Sequence, residues 1–351
     1  MYRAPTGRSV GTDDMKSRER FVVAMDLGGT KLAGALVDHA GRIARQMSVP
    51  VEGISASAPV RQMVEMAREL TENLENRKLK IENRGMRNPG GMKPPLQMER
   101  TAVSAIGVAV PGLVRRDGTV WAPNLKGWTR MLLGKRLREE LGLRVVVESD
   151  RNAAVLGESW RGAARGKSDV IVLMIGTGIG AGILSGGRLV RGAHELSGCA
   201  GWMTVREEHG EDANRAGQLE SLASGPGIAR AAEKELERGV ESLLGVLPAG
   251  MRNAYEVAEA ARRGDMVSIE AFLEAGRWLG YGVANLVSLF DPEVIVIGGG
   301  LAKASDLYLD ALRKAMKERA QPIAATKVRV VVSRLGGEAN LLGAARVAWG
   351  M

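Results

Sequence analysis

The segment DLGGTK carries a carboxylate, two glycines, a hydroxyl and an amine within six residues. It follows the apolar run FVVAM, which predicts a buried strand, and a second apolar run comes directly after it. In a turn between two strands, Gly28 and Gly29 let backbone N–H groups approach a phosphate, next to the side chains of Thr30 and Lys31. Asp26 can hold a hydrated magnesium ion. A plain hairpin turn that needs glycine at positive φ is the alternative interpretation.

A second glycine-rich loop, GTGIGAG, contains Gly176, Thr177 and Gly178. Its spacing superficially matches the dinucleotide-binding fingerprint, but that motif must open a helix. The residues that follow, GILSGGRLV, predict a strand instead. The sequence also lacks GxxxxGK[ST], which excludes the P-loop class.

The third glycine cluster consists of Gly298, Gly299 and Gly300, after the apolar run EVIVI. A buried strand that delivers glycines to the start of a helix can form a flat slot for an adenosine. Tight packing of a helix on a strand is the alternative explanation. Two glycine hairpins in one chain suit the actin-like ATPase arrangement, in which one hairpin from each lobe holds the triphosphate.

Asp150 lies in ESDRNAAVLGE, at the end of a predicted strand and the start of a predicted helix. An aspartate there can be an N-cap, because its carboxylate accepts hydrogen bonds from the first N–H groups of the helix. It can also be a general base that takes the proton from a substrate hydroxyl as that hydroxyl attacks a γ-phosphate. The position favours the cap, whereas the nearby phosphate loops favour the base.

The composition is typical of a globular protein without a membrane span. The 351 residues are 45% hydrophobic and 25% charged. No apolar run approaches the ~18 residues that span a bilayer, and no apolar signal core opens the chain, so we expect a cytoplasmic protein. A four-coordinate structural zinc built from cysteine and histidine would need the one cysteine and all three histidines together.

The net charge of +9 lies mostly in residues 1–20 and 77–100. Both segments are polar and rich in Lys and Arg, which is typical of solvated loops. An aromatic content of 4% offers few side chains on which bases could stack. We therefore expect no specific nucleic-acid partner.

Predicted strands and helices alternate along the chain, which indicates an α/β fold of two related lobes with a cleft between them. Each lobe opens with one of the glycine hairpins. The expected division is a disordered lead-in (1–20), a small first lobe (21–146) with a flexible basic insertion (76–99), a larger second lobe (147–336), and a terminal helix that packs back on the first lobe (337–351).

Several motifs in a fixed order resemble the ROK (repressor, ORF, kinase) family: DLGGTK, VAVPGLVRRDGTVWAPNLKGW, ESDRNAA, IGTGIGAGI, LESLASGPGIA and DPEVIVIGGG. The resemblance implies a two-lobed actin-like ATPase or hexokinase (ribonuclease H-like) fold and a homodimer. It also implies phosphorylation of a hexose or N-acetylhexosamine with ATP and Mg²⁺. Asp150 matches the family's catalytic base. Asn124 and Glu220 match contacts to sugar hydroxyls, and Gly112 matches the small residue against which the sugar packs.

The sequence departs from the family pattern around the sugar pocket. Ser149 replaces the asparagine that usually precedes the base. Cys199 and Trp202 replace the glutamate and histidine of the GEIGH segment, both sugar contacts. They either fill that volume by apolar packing or reshape the pocket for a less hydroxylated or differently oriented substrate. Loss of two polar partners should lower the affinity for a sugar whose hydroxyls they satisfied.

The family's zinc segment is also replaced. Glu211, Ala213 and Gln218 stand where its cysteines would be. We therefore expect no zinc site.

The sequence thus predicts an Mg²⁺- and ATP-dependent sugar kinase with a small-molecule sugar as substrate. The alternative is a sugar- or nucleotide-binding regulatory protein of the same fold with little or no turnover. A DNA-binding version is not expected, because the 20 residues before Phe21 are too few for a helix-turn-helix domain. An actin-like filament former would leave the sugar-lobe motifs unexplained.

Overall fold

A computed structural model describes residues 20–52, 55–85, 103–208 and 210–350. In chain order the strands are β1 (Phe21–Leu27), β2 (Lys31–Asp38), β3 (Ile43–Pro50), β4 (Val103–Val110), β5 (Leu113–Val114), β6 (Val120–Trp121), β7 (Arg144–Ser149), β8 (Val170–Ile175), β9 (Ile179–Ser185), β10 (Arg188–Leu189), β11 (Val294–Gly298) and β12 (Arg329–Val332). The α-helices are α1 (Ala58–Gly85), α2 (Leu133–Leu141), α3 (Asp150–Arg161), α4 (Ala213–Ala216), α5 (Gln218–Ala223), α6 (Gly225–Glu237), α7 (Ala254–Arg262), α8 (Met266–Phe290), α9 (Ser305–Arg319), α10 (Pro322–Lys327) and α11 (Ala339–Trp349).

The first sheet has the strand order β3-β2-β1-β4-β7. β2 and β3 are antiparallel to their neighbours, whereas β1, β4 and β7 run parallel. Asp26 therefore pairs with Ala109, and Ala109 pairs with Glu148. The carboxyl ends of the three parallel strands meet at one edge of the sheet, which brings the residues after β1 and β7 together.

Both faces of β1 and β4 are covered, which explains their continuous apolar sequences. On one face α1 and α2 pack over a core that includes Met25, Met63 and Leu137. On the other face α11 contacts β1, β4 and α3. α3 also contacts β8 and β9, so it lies between the two sheets.

Glycines let α11 approach its neighbours at backbone distance. A Cβ atom at Gly107 of β4 would lie 1.9 Å from the carbonyl oxygen of Ala344. A Cβ atom at Gly343 of α11 would lie 1.8 Å from the carbonyl oxygen of Ala153 in α3. No side chain fits at either position without a shift of backbone, so these glycines set the distance between α11 and the rest of the fold.

The second sheet has the strand order β10-β9-β8-β11-β12. β8 and β9 form an antiparallel hairpin, and β8, β11 and β12 run parallel. β12 lies at one edge of this sheet and β10 at the other. The helices α5 to α9 cover one face of this sheet around a core that includes Ile171, Phe272 and Tyr308.

Two of the expected boundaries change. The division at residue 146 falls inside β7, which pairs with β4 through Ser149, so we place it after that strand because a paired strand belongs to one sheet. The predicted insertion at 76–99 begins inside α1, which continues through Gly85. The rest of that insertion and the lead-in before residue 20 lie outside the described residues.

In the described part of the chain, no helix is both long enough and apolar enough to cross a membrane.

Candidate active site

The turn between β1 and β2 carries the first glycine pair. The N–H of Gly28 donates to the carbonyl oxygen of Lys31 at 2.8 Å and closes the turn. No atom outside the adjacent residues lies within 4 Å of where a Cβ atom of Gly29 would be. Gly29, Thr30 and Lys31 are exposed. The turn therefore presents open backbone and a cationic side chain, as phosphate binding requires.

Asp26 precedes this turn and is held in an unusual electrostatic environment. Burial raises the pKa of Asp26 to about 6, and the negative charge of Asp150 adds to the rise. The amide of Asn340, in α11, donates to Oδ1 of Asp26 at 3.2 Å and opposes that rise, as does Lys31. The structure thus places Asp26 and Asp150, both predicted from the sequence, close enough to interact electrostatically at the carboxyl edge of the first sheet.

Asp150 is the first residue of α3, and Ser149 occupies the N-cap position. Oδ1 of Asp150 accepts a hydrogen bond from the N–H of Arg151 at 2.8 Å, and burial raises the pKa of its carboxyl. Ser149 thus has the N-cap position without a side-chain cap, and the Asp150 carboxylate accepts a hydrogen bond from the first turn of α3. The structure therefore leaves open both roles of Asp150, the cap and the base. The Ser149 hydroxyl is buried and makes no hydrogen bond among the described residues.

The β8–β9 turn carries the second glycine loop. The N–H of Gly176 donates to the carbonyl oxygen of Gly178 at 2.9 Å, and β9 follows rather than a helix. This agrees with the exclusion of a dinucleotide-binding fold. Oε2 of Glu220 accepts a hydrogen bond from the N–H of Ile179 at 2.7 Å, and burial raises the pKa of Glu220. Glu220 therefore lies against this turn, where a Cβ atom at Gly178 would be 2.8 Å from its Oε2.

The third glycine cluster packs on the second loop. Gly298 ends β11, and Gly299 has φ +82, where a Cβ atom would be 2.4 Å from the carbonyl oxygen of Ile175. The N–H nitrogen of Gly300 lies 3.7 Å from the Cβ position of Gly176. Gly298 is buried, as tight packing of a helix on a strand requires. Gly300 is exposed, as an open slot requires, so both interpretations of this cluster apply to part of it.

A cavity of about 810 Å³ opens beside these loops. Its lining includes Gly176, Thr177 and Gly300 together with residues that motif reasoning missed: Gly225, Pro226, Arg252, Asn253, Tyr255 and Leu301. The N–H of Gly225 donates to the carbonyl oxygen of Gly176 at 2.8 Å and joins α6 to the second glycine loop. The glycines of the segment SGPG could have indicated Gly225 and Pro226 as lining residues, whereas no sequence pattern indicated Asn253 or Tyr255.

The loop after β6 carries Asn124, which is exposed. The indole nitrogen of Trp128 donates to the carbonyl oxygen of Ala56 at 2.9 Å and anchors this loop on the first lobe. Gly112 has φ +93, and a Cβ atom there would lie 2.2 Å from the carbonyl oxygen of Trp121. Glycine is thus required at 112 by the backbone itself.

Trp202 is 57% exposed and does not fill a buried volume. The expectation of apolar packing is therefore wrong for this residue, because its ring lies at the surface of a short 3₁₀ turn. Cys199 is half-buried, and its Sγ accepts a hydrogen bond from Nη1 of Arg151 at 3.5 Å. The other interpretation of Cys199 and Trp202, a pocket reshaped for a different substrate, remains open, and the guanidinium beside Cys199 is that of Arg151.

Gln218 stands at a predicted cysteine position and cross-links the segment before it. Its Oε1 accepts from the N–H groups of Val205 and Arg206 at 2.6 and 2.8 Å. Its amide donates to the carbonyl oxygens of Arg206 and Glu208 at 3.1 and 2.9 Å. None of Trp202, Ala213 and Gln218 offers the imidazole or thiolate that structural zinc sites use.

Gln218→Met, a change of similar size, should lower the free energy of unfolding by about 2 kcal/mol, because it removes all four hydrogen bonds from a buried position. Amide hydrogen exchange at Val205 and Arg206 should rise at the same time. Urea unfolding and exchange measure the two effects. The control is Gln46→Met at an exposed position of β3, which should change stability by less than about 0.5 kcal/mol. Equal stabilities of the two variants would contradict the anchoring role.

The free energy of unfolding of the metal-free protein should fall as the pH rises from about 4 to about 6. Folded Asp26 keeps its proton up to a pKa of about 6, whereas the unfolded chain releases it near 3.8. The stabilisation by that proton is complete below the unfolded pKa and is lost as the pH passes the folded pKa. Asp26→Asn should flatten this fall by up to about 3 kcal/mol, as urea unfolding across the range can measure. Parallel curves for the two proteins would exclude Asp26 as the source.

Comparison with known proteins settles the family. The sequence profile of the ROK family matches residues 22–350. This chain belongs to the ROK family. A glucokinase from Halalkalibacterium halodurans is 30% identical over 330 residues, which cover 93% of this ROK protein and 94% of that enzyme. A xylose repressor from Caldicellulosiruptor bescii is 33% identical over 249 residues, which cover 69% of this chain and 61% of the repressor.

A solved structure gives the same assignment for this ROK protein. The ROK glucokinase of Streptomyces griseus, in complex with glucose and AMPPNP, is 31% identical with a TM-score of 0.73, covering 94% of this chain and 100% of that chain. The expected two-lobed actin-like fold of the hexokinase type is confirmed. With relatives of known activity over nearly its whole length, this ROK protein is a sugar kinase.

Proposed function

We propose that this ROK protein transfers the γ-phosphate of ATP to a hydroxyl of a hexose or N-acetylhexosamine, with Asp150 as the general base. One observation carries the proposal: the Asp150 carboxyl at the start of α3 has a raised pKa, and its charge lies close enough to Asp26 to raise the pKa of that residue as well. Structural ion pairs lower the pKa of a carboxylate, whereas a base is helped by a raised pKa.

The nucleotide is held by the glycine loops of both lobes. The exposed β1–β2 turn and the β8–β9 turn offer backbone N–H groups to the phosphates. The cavity of about 810 Å³ is large enough for the adenosine, with Gly300 and Tyr255 among its lining residues. Gly298 and Gly299 keep this wall flat, because a side chain at 299 would meet the backbone of Ile175.

Asp26 would hold Mg²⁺ through water, and its oxygen-only side chain suits that ion. When bound, the ion neutralises charge on the phosphates. Asp150 then accepts the proton of the attacking hydroxyl at its carboxylate. Closure of the two lobes excludes water from the transfer.

The sugar would be held by Asn124 and Glu220 and would pack against Gly112. Around it, Ser149 and Cys199 replace longer polar side chains of the family, and Trp202 stands exposed nearby in sequence. The buried, unpartnered hydroxyl of Ser149 is an additional donor at the start of α3. We expect a substrate with a hydroxyl pattern different from that of glucose, because these groups no longer supply the same partners.

A regulatory protein of the same fold is the second candidate. The guanidinium of Arg151 at Cys199 and the exposed ring of Trp202 favour it, since both change the pocket and not the phosphate loops. The similarity to a xylose repressor is consistent with a binding role.

A coupled ADP-release assay with Mg-ATP distinguishes the two candidates. The panel should contain hexoses, N-acetylhexosamines and polyols, with AMPPNP binding measured in parallel. Turnover on one panel member supports the kinase and names its substrate. AMPPNP binding without turnover on any member supports the regulatory protein.

A further inference from the structure

A second cavity of about 750 Å³ lies between the two sheets, away from the glycine loops. One wall is β7 and the turn after β5, and another wall is β10 with the segment that follows it. α11 supplies a third wall. None of its lining residues has a role in the reaction proposed above. Its volume is in the range of small-molecule sites.

The cavity is rich in guanidinium groups. Five arginines and two glutamates line it: Arg115, Arg116, Arg188, Arg191, Arg346, Glu148 and Glu195. We name it the arginine cavity.

Both glutamates of the arginine cavity are already neutralised. Arg191 donates to Oε2 of Glu148 at 2.5 Å, and Nε of Arg116 lies 2.9 Å from Oε1 of Glu195. These pairs leave three cations in excess over the anions. Arg115 donates to the carbonyl oxygen of Thr129 at 3.2 Å and lies close enough to Asp117 to help lower the pKa of that carboxyl.

Arg188 and Arg346 have no carboxylate within salt-bridge distance among the described residues. Arg188 is exposed on β10. Arg346 is half-buried on α11 and donates to the carbonyl oxygen of Leu156 at 3.1 Å and to the hydroxyl of Ser159 at 2.7 Å. Burial lowers the pKa of Arg346, the sign of a cation that lacks an anionic partner. A partly buried guanidinium that is paired only with neutral groups carries an unfavourable desolvation free energy, and a bound anion would offset it.

We propose that the arginine cavity binds a small metabolite that carries two or more phosphate or carboxylate groups. Two groups are needed because the unpaired cations lie on different walls, one on β10 and one on α11. Guanidinium groups bind phosphate and carboxylate in bidentate fashion, which suits the arginine content. A ligand that joins Arg188 to Arg346 would link the second sheet to the helix packed on the first sheet.

Such a ligand would also act on the start of α3. Glu148 accepts hydrogen bonds from the N–H of Ser149 and from the amide of Asn152, both at 2.9 Å. An anion that draws Arg191 away from Glu148 therefore changes the electrostatic environment beside the first turn of α3. The cavity thus adjoins the segment that carries Asp150.

Calorimetric titration tests the proposal independently of turnover. Fructose 1,6-bisphosphate and citrate are the probes, fructose is the uncharged control, and saturating Mg-AMPPNP keeps the nucleotide site occupied. We expect one of the two polyanions to bind, and binding to weaken about tenfold in Arg188→Ala and in Arg346→Gln, the loss of one charge-assisted contact. Arg165→Ala, at an exposed position outside the cavity, should bind like the unaltered protein.

The two probes distinguish the chemical class of the ligand. Binding of fructose 1,6-bisphosphate that depends on Arg188 identifies a phosphorylated ligand, and binding of citrate alone identifies a polycarboxylate. The Arg188 side chain is exposed and makes no hydrogen bond or salt bridge that the described residues record, so its variant tests the site even if Arg346→Gln folds poorly. No binding of either probe, or equal binding by Arg188→Ala and Arg165→Ala, overturns the proposal.

Discussion

Asp150→Asn should lower kcat for sugar phosphorylation by about 10³-fold while the affinity for AMPPNP changes by less than about threefold. The asparagine side chain has the same shape but cannot accept the proton of the attacking hydroxyl. The phosphate loops lie on other segments of the chain, so nucleotide binding should persist. Removal of the Asp150 charge should also lower the pKa of Asp26, whose rise is partly due to that charge.

The measurement is kcat with the best panel substrate, together with AMPPNP affinity by calorimetry. Asp310→Asn is a matched control, because the side chain of Asp310 is 100% exposed on α9. It should leave kcat within about twofold. A fall of less than tenfold in Asp150→Asn would assign the proton transfer to another group.

Gly343→Ala should lower the free energy of unfolding by about 3 kcal/mol. The added Cβ atom would lie 1.8 Å from the carbonyl oxygen and 2.4 Å from the carbonyl carbon of Ala153, so α11 or α3 must move as a whole. Alanine favours helices over glycine by about 1 kcal/mol, and the expected loss is therefore net of that gain. Because α11 also carries Asn340, the shift should weaken the hydrogen bond to Asp26.

Urea unfolding measures this loss, and Gly337→Ala provides the control. Gly337 has no atom within 4 Å of its Cβ position beyond the adjacent residues, so an alanine there meets no steric resistance. Its effect should stay within about 0.5 kcal/mol. Equal stabilities of the two variants would mean that α11 does not pack on α3 at backbone distance.

Local patterns predicted the parts of the fold that local physics decides. Apolar strands that alternate with glycine turns predicted both hairpins. The strand that follows the second glycine loop was enough to exclude a dinucleotide-binding fold. The position of Asp150 at a strand–helix junction was also predictable. Its role was not, because the sequence does not show which groups from distant segments, such as Asp26, lie near its carboxylate.

The remaining site features depend on contacts between distant segments. Asn253 and Tyr255 line the cavity of about 810 Å³ only because α7 packs beside the second glycine loop. The exposure of Trp202 follows from how its short 3₁₀ turn meets α5, which no periodicity reveals. The sequence shows Gln218 only as a residue that replaces a family cysteine. Its four hydrogen bonds to backbone groups could not be predicted, because they depend on how the 205–208 segment folds beside it.

The packing of α11 on β1 and β4 has a consequence for how the protein is made. Asn340 and Asp26 touch although 314 positions separate them in the sequence. A ribosome needs roughly 15–60 s to add that many residues. During this interval the face of the first sheet that contains Val22, Ala24 and Ala105 lacks α11, which packs on it in the finished protein. The acidic site of the first lobe therefore reaches its final form only after the whole second lobe has been synthesised.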